Sequence, residues 1–274
     1  LDVIESTYVS SVGAYVDKFE SMICSITKTK KSIAVVNGTS GIQVALRLAG
    51  VKEGDEVLTQ ALTFVATVNA ITYNRAIPVF IDVDIDTMGF SPTALELFLN
   101  ENAEIREDGC FNKKTGNRIS ACLPMHTFGF PVHLDKLISV CEKWNISIVE
   151  DASESLGSFY KEKPTGCFGK LGVFSFNENK IVTSGGGGVI VTNDELMGSH
   201  GKHLTTTAKV SHPYEFFHDE LGYNFRMPNI NAALACAQLE QLEKYLEKKR
   251  VLAKEYEKFF FSKGIKFRTE TPNT

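Results

Sequence analysis

Phe174-Ser175-Phe176-Asn177-Glu178-Asn179-Lys180-Ile181-Val182-Thr183-Ser184-Gly185-Gly186-Gly187-Gly188-Val189-Ile190-Val191 is the stretch whose reading decides the fold. An alternating apolar run, polar residues around one lysine, four consecutive glycines and a second β-branched run predict strand, tight loop and strand, with Lys180 at the turn. Glycines at this density let the backbone take positive φ and bring another group close to the main chain, which sets the lysine against something flat or bulky. An amine held there sheds water, and its neutral form is a nucleophile toward aldehydes. A lone lysine beside glycines is more often a solvated residue in a flexible hairpin, so its company has to decide.

Working outward, strand and helix alternate. Apolar positions at helical spacing (Val12, Tyr15, Val16, Phe19, Met22, Ile23) predict an amphipathic helix over 11–26. The lysines at 28, 30 and 31 read as a solvated loop. A short buried strand over 32–36 runs into Asn37-Gly38-Thr39-Ser40-Gly41, after which a helical pattern begins. Strands are expected at 56–60, 78–83, 119–124 and 146–149, and helices at 64–73 and 134–144. Ser91-Pro92 opens another helix as N-cap and first-turn proline. Residues 101–117 read as a polar excursion, 200–228 as a long functional loop, and 231–260 as one long helix, broken or bent. This β-α-β succession predicts an α/β fold with a mainly parallel central sheet and helices on both faces. Ligands of such sheets bind beyond the carboxyl ends of the strands.

The 274 residues, 43% hydrophobic and 23% charged, suit a globular chain with one sizeable core. A net charge of -4 argues against nucleic acid or an anionic membrane as the main ligand, because both want a basic face. The six cysteines (24, 110, 122, 141, 167, 236) form no C-x-x-C pair and no histidine pair completes a zinc spacing, so no metal site is expected. They read as buried thiols of a reducing cytoplasm. No apolar run reaches membrane-spanning length and no charged-then-apolar leader opens the chain. The start at Leu1 and the stop at Thr274, just after the strand-like Gly264-Ile265-Lys266-Phe267, are expected to mark an incomplete chain. Its large domain would cover 1–250 and the start of a small C-terminal domain 251–274.

Three strand ends carry candidate chemistry. Asp151 closes the strand before Ala152-Ser153-Glu154 and is either an N-cap or a functional carboxylate. Asn37-Gly38-Thr39-Ser40-Gly41 joins a strand to a helix start, where free N–H groups and the macrodipole favour an anion. An ordinary Thr or Ser cap would look the same. It lacks both the dinucleotide G-x-G-x-x-G and the P-loop G-K-[ST], which disfavours a nicotinamide dehydrogenase. Phe64, in Thr63-Phe64-Val65-Ala66-Thr67, is core or an aromatic platform.

The lysine segment resembles S-F-x-x-x-K plus glycine run of the DegT/DnrJ/EryC1/StrS family of nucleotide-sugar aminotransferases. Glu150-Asp151-Ala152-Ser153-Glu154-Ser155 resembles its E-D-A-x-[QE]-[AS], Asn37 to Gly41 its N-G-T-[SA]-[GA] phosphate loop, and Gly222-Tyr223-Asn224-Phe225-Arg226-Met227 its G-Y-N-[YF]-R-[ML]. Tyr8-Val9-Ser10-Ser11 is similar to its opening segment near the sugar, and Pro124-Met125-His126-Thr127-Phe128-Gly129 to the strand end before its Asp-bearing strand. The motifs run in family order from Tyr8 to Leu242.

The resemblance implies the fold type I of pyridoxal 5′-phosphate (PLP) transferases, similar to aspartate aminotransferase. It implies that Lys180 carries the cofactor and acts as catalytic base and acid. By the same resemblance Asp151 meets the pyridine nitrogen, Phe64 stacks on the ring and Glu154 lies beside it. Gly38, Thr39, Ser40 and Ser175 take the phosphate, and Asn224 reaches the phosphate of a neighbouring subunit in a homodimer with shared sites. The implied reaction passes an amino group from L-glutamate to a nucleotide-linked keto-deoxysugar, nearest the UDP-4-keto-6-deoxy-N-acetylhexosamine type, on the way to surface polysaccharides or amino sugars. Glu178, where glycine is usual, and Leu156, where many members carry histidine, are departures. Glu178 and the expected incompleteness of the chain keep open a non-catalytic relative, and a same-fold deoxysugar dehydratase is a further rival, although it carries histidine in place of the lysine.

Overall fold

The computed structural model describes residues 1–11 and 13–270. Its helices are α1 (Asp2–Glu5), α2 (Ala14–Thr27), α3 (Gly38–Leu48), α4 (Val65–Tyr73), α5 (Pro92–Asn102), α6 (Leu134–Lys143), α7 (Glu195–Thr205), α8 (Asn229–Leu239) and α9 (Leu242–Phe261). Its main strands are β1 (Lys31–Val35), β2 (Glu56–Gln60), β3 (Ile77–Ile81), β4 (Ala103–Arg106), β5 (Gly109–Asn112), β6 (Arg118–Leu123) and β7 (Ser147–Asp151). The two-residue strands β8 (Phe159–Tyr160) and β9 (Lys163–Pro164) follow, then β10 (Leu171–Ser175), β11 (Gly188–Thr192), β12 (Lys209–Val210) and β13 (Phe217–His218).

Seven strands run across the sheet in the order β1-β11-β10-β7-β6-β2-β3. The β3-β2-β6-β7-β10 pairings are parallel, and β11 runs antiparallel to both β10 and β1. The expected mainly parallel sheet is therefore present. Its central strands are buried on both faces, which is why Ile, Val, Ala, Leu and Cys dominate their middles without regular polar alternation. On one face α2 and α8 enclose Phe19, Phe176 and Met227. On the other, α3 and α4 cover Ile33, Val57 and Val173. The sequence places Val12 on the first long helix; Val12 lies outside the described residues, and α2 begins at Ala14.

The excursion expected at 101–117 is instead the hairpin of β4 and β5, continued into the sheet through β6. Its polar residues are used: the buried Glu56 accepts from Asn112 Nδ2 at 2.9 Å and from Thr115 Oγ1 at 2.6 Å. The loop expected from 200 to 228 begins inside α7 and contains the β12–β13 pair. Gly198 and Gly201 lower the helix propensity of α7. They are there because α7 packs tightly: a Cβ on Gly198 would lie 2.6 Å from Lys31 Cβ. The long helix of 231–260 is two helices broken at residues 240–241, which lets Leu239 and Leu242 both reach the core. Residue 250 falls within α9, and residues 265–270 form no strand. No helix among the described residues is long and apolar enough to cross a membrane.

Candidate active site

Parallel strands bring their carboxyl ends to one edge, and most of the residues singled out in sequence collect there. Asn37 caps α3, its Oδ1 accepting from Ser40 N at 2.8 Å. The cap is thus Asn37 and neither hydroxyl residue. The N–H groups of Gly38 and Thr39 have no intrahelical carbonyl to bind. A Cβ on Gly38 would meet Ser175 Cβ at 3.0 Å, Ser175 Oγ at 3.3 Å and Ser153 Oγ at 3.4 Å. Backbone of α3 and two hydroxyls from β10 and the segment after β7 therefore form one cradle. A cavity of about 340 Å³ opens beside it, lined by Gly38, Thr39, Phe64, Asp151, Glu154, Ser175 and Lys180 among others.

Asp151, at the end of β7, is only 3% exposed. Its Oδ2 accepts from Thr67 Oγ1 at 2.7 Å, Thr67 in turn bonds Thr63 Oγ1 at 2.7 Å, and Oδ1 accepts from Ser153 N at 3.1 Å. Among the described residues no cationic side chain pairs with this buried carboxylate. Such a group wants a positive partner.

The loop carrying Lys180 is packed, not merely tight. Phe176 donates to Gly187 O at 2.9 Å, Ser184 N donates to Phe176 O at 3.0 Å, and the buried Phe176 ring meets Phe19 edge-on at 5.0 Å. Of the four glycines only Gly185 takes positive φ. The close approach expected of the run is made by Gly188, where a Cβ would lie 2.5 Å from Asn37 C and 2.7 Å from Gly38 N. Glycines and phosphate-loop candidate are thus one packing unit. Lys180, its side chain 14% exposed, places Nζ 3.3 Å from Glu154 Oε1, and Glu154 Oε2 accepts from Phe128 N at 2.9 Å. Glu178 is exposed and does not line the cavity.

Two singled-out residues lie outside this lining. Ser40 is engaged through its N–H by Asn37. Asn224 is exposed, bridged by its backbone to Thr206, and its Oδ1 accepts from Arg226 Nε at 3.1 Å.

Sequence reading missed three supports. Gln60, fully buried at the end of β2, uses its whole amide: Nε2 donates to Leu62 O and Thr127 Oγ1, both at 2.9 Å, and Oε1 accepts from Phe90 N at 2.8 Å and Met125 N at 3.2 Å. Glu150 and His126 form a fully buried pair, Oε2 to Nε2 3.0 Å, behind Asp151. Burial by itself raises the Glu150 pKa, but the bonds from His126 and from the N–H groups of Gly169 and Phe168 outweigh it and hold the carboxyl below its ordinary value. Asn229 stitches the N-terminal segment down, donating from N to Ser10 O at 2.6 Å and from Nδ2 to Tyr8 O at 2.7 Å. Glu150 and His126 stand within motifs quoted from the sequence, but without a role for their pairing; for Gln60 and Asn229 a polar residue at a strand end or first helical turn was the only sequence signal.

Two larger cavities, each of about 630 Å³, lie along α9 and beside α1, away from Lys180. The smaller one is the right kind of place for PLP. It offers free N–H groups and hydroxyls to a phosphate, an unpaired buried acid to a pyridinium, and an amine to an aldehyde, and its volume suits a single small molecule.

The model of the DegT/DnrJ/EryC1/StrS aminotransferase family matches residues 1–274. The chain is 40% identical over 255 residues to EpsN of Bacillus subtilis (strain 168), which carries the name pyridoxal phosphate-dependent aminotransferase, covering 93% of this chain and 63% of that protein. It is 35% identical over 257 residues to the GDP-perosamine synthase of Escherichia coli O157:H7, covering 94% of this chain and 66% of that one. It therefore spans a little under two thirds of the length of these relatives. The crystal structure of a DegT DnrJ EryC1 StrS aminotransferase from Brucella abortus superposes with a TM-score of 0.87 at 25% identity, over 99% of this chain and 70% of that one. Motif order, strand-end geometry and a match over every residue converge: the chain belongs to the DegT/DnrJ/EryC1/StrS aminotransferase family.

Proposed function

We propose that this protein is a PLP-dependent aminotransferase that moves an amino group from L-glutamate to a nucleotide-linked keto-deoxysugar, in surface-polysaccharide or amino-sugar biosynthesis. The observation that carries the proposal is the placing of the Lys180 amine in one small cavity with a buried, cation-free Asp151 and the N-terminus of α3. Gly38 and Thr39 offer N–H groups and Ser175 its hydroxyl to the phosphate, with Ser40 completing the turn. Phe64 would lie against the cofactor ring, and Asp151 would keep the ring nitrogen protonated. When bound, the cofactor supplies an electrophilic aldehyde and an electron-withdrawing ring that drains charge from the substrate carbon. Lys180 Nζ moves the proton to and from that carbon as general base and acid. Glu154, 3.3 Å away, holds the amine in place.

The exposed Asn224 is offered to a second copy of the chain, whose phosphate site it completes in a homodimer with shared sites. The acceptor is taken to be of the UDP-4-keto-6-deoxy-N-acetylhexosamine type. The relative named GDP-perosamine synthase supports a GDP-linked sugar equally well. The reaction is assigned to the cytoplasm, a setting that suits six cysteines held as free thiols.

The test is borohydride reduction of the cofactor-loaded protein followed by peptide mass mapping. A pyridoxyl adduct on Lys180 is expected, together with an absorbance change on adding L-glutamate. Lys180→Ala should keep its fold and lose both. An adduct on any other lysine overturns the assignment.

A further inference from the structure

Phe128 is the one aromatic among the non-glycine residues described with positive φ (φ 55, ψ 23), a region that bulky side chains rarely adopt. Backbone held in this way persists only where its surroundings over-determine it, and such positions cluster at ligand sites. The surroundings do so here. The Phe128 N–H is bonded to Glu154 Oε2, and a Cβ on the next residue, Gly129 (φ +86), would sit 2.9 Å from Glu154 O. The preceding Thr127 is buried and accepts from Gln60 Nε2. Yet the ring that this bracing presents is 71% exposed. Gln60 Nε2 also holds Leu62 O, so one buried amide ties the turn at Phe128 to the segment carrying Phe64, itself 67% exposed on the cavity rim.

We propose that Phe128 is a specificity-determining contact whose ring packs against the apolar C–H face of the acceptor's hexose, on the Glu154 side of the cavity. The proposal rests on the aminotransferase reading above. Distance selects the sugar over the nucleobase. The reacting carbon must come up to Lys180 Nζ, and Glu154 bonds that amine with one oxygen and the Phe128 backbone with the other. The Phe128 backbone is therefore joined to the reacting amine through a single carboxylate, just beyond the residues that line the cavity, whereas a base would be separated from the sugar by a diphosphate and a ribose. Gln60 is the positioning residue that fixes this platform relative to Phe64.

The experiment compares wild type, Phe128→Ala and Phe128→Tyr, all cofactor-loaded. Titration calorimetry uses UDP-N-acetylglucosamine and GDP-mannose as sugar-bearing probes, with UDP and GDP as sugar-free controls. Phe128→Ala should weaken the better sugar-bearing probe by about tenfold, leave the matching nucleoside diphosphate within about twofold, and Phe128→Tyr should restore the affinity. The absorbance response to L-glutamate is followed in wild type as the separate check on the aminotransferase reading. Equal losses for sugar-bearing and sugar-free probes would reassign the ring to the base and overturn the proposal. So would unchanged affinities, no binding of any probe, or a changed oligomeric mass of Phe128→Ala, which would mean that a second copy covers the ring. Loss of the glutamate response in wild type with sugar-selective binding intact would sink the aminotransferase reading and leave this contact standing.

Discussion

Replacing Glu150 by glutamine tests whether the floor behind Asp151 is held by charge or merely by shape. The carboxylate is fully buried and takes four donors: Phe168 N at 2.6 Å and Gly169 N at 2.7 Å on Oε1, Gly166 N at 2.8 Å and His126 Nε2 at 3.0 Å on Oε2. Val132 N donates to His126 Nδ1 at 3.4 Å, which leaves Nε2 to donate to Glu150. A glutamine oxygen in the Oε1 position keeps the first two bonds. Its NH₂ then faces both the Gly166 N–H and the His126 Nε2–H, buried donors left without an acceptor at about 1–3 kcal/mol each, while the surviving bonds lose their charge assistance. Removing the buried charge returns part of its desolvation cost, but the lowered pKa shows that the fold favours the ionised form. The net destabilisation is about 3 kcal/mol, or a fall in Tm of about 6–12 °C for a chain of this size. The sign with pH follows. A carboxyl held below its ordinary value contributes stability above the unfolded pKa and loses it as pH falls through the folded one. Thermal melts at neutral pH should show the full gap between wild type and Glu150→Gln, and melts on the acid side should show it narrowing. A gap under about 2 °C at pH 7, or one that widens on acidification, would refute the charge-held floor.

Asp151→Asn should be nearly silent for stability, within about 1 kcal/mol, because Nδ2 can donate to Thr67 while the Thr67 hydroxyl turns to Thr63. Cofactor absorbance and single-turnover rates with L-glutamate should nevertheless change, since the ring nitrogen loses its counter-charge; unaltered rates would remove Asp151 from the site. Gly38→Ala forces a methyl against Ser175 Cβ at 3.0 Å. Cofactor affinity should fall by about tenfold or more in an equilibrium titration with little loss of Tm, and retained affinity would place the phosphate elsewhere. Gln60→Leu orphans the buried N–H groups of Phe90 and Met125, at a cost of about 2–4 kcal/mol in denaturant unfolding. It should also weaken binding of the sugar-bearing nucleotide through the released turn at 127–129, and a purely thermal effect would confine Gln60 to the core.

How much was legible in advance varies with the range of the forces involved. The helix opening at Ser91-Pro92 is a local matter, and Ser91 Oγ does accept from Ala94 N at 3.2 Å. The core strands announced themselves because burial on both faces demands predominantly apolar runs. The β4–β5 hairpin stayed hidden because Glu, Arg and Asn at its positions satisfy the solvent side of an edge and the buried Glu56, which a one-dimensional pattern reports only as polarity. From residue 200 on, His, Thr and aromatic residues without a sustained period spoke for a loop, and only the approach of Lys31 and Leu48 reveals why Gly198 and Gly201 sit in a helix.

By itself the sequence determined the family, and it singled out the lysine, the acid at 151 and the turn at 37–41 as the proposed site, because each is a short run of residue types whose chemistry is local. Tertiary structure alone decided that the glycine run backs onto the turn at Asn37 and that Gln60 joins the segments bearing Phe64 and Phe128. It also decided that Asp151 is buried without a cation while Asn224 lies outside the cavity of its own chain. These facts depend on residues far apart in sequence converging at strand ends, where register and burial set which polar atoms meet.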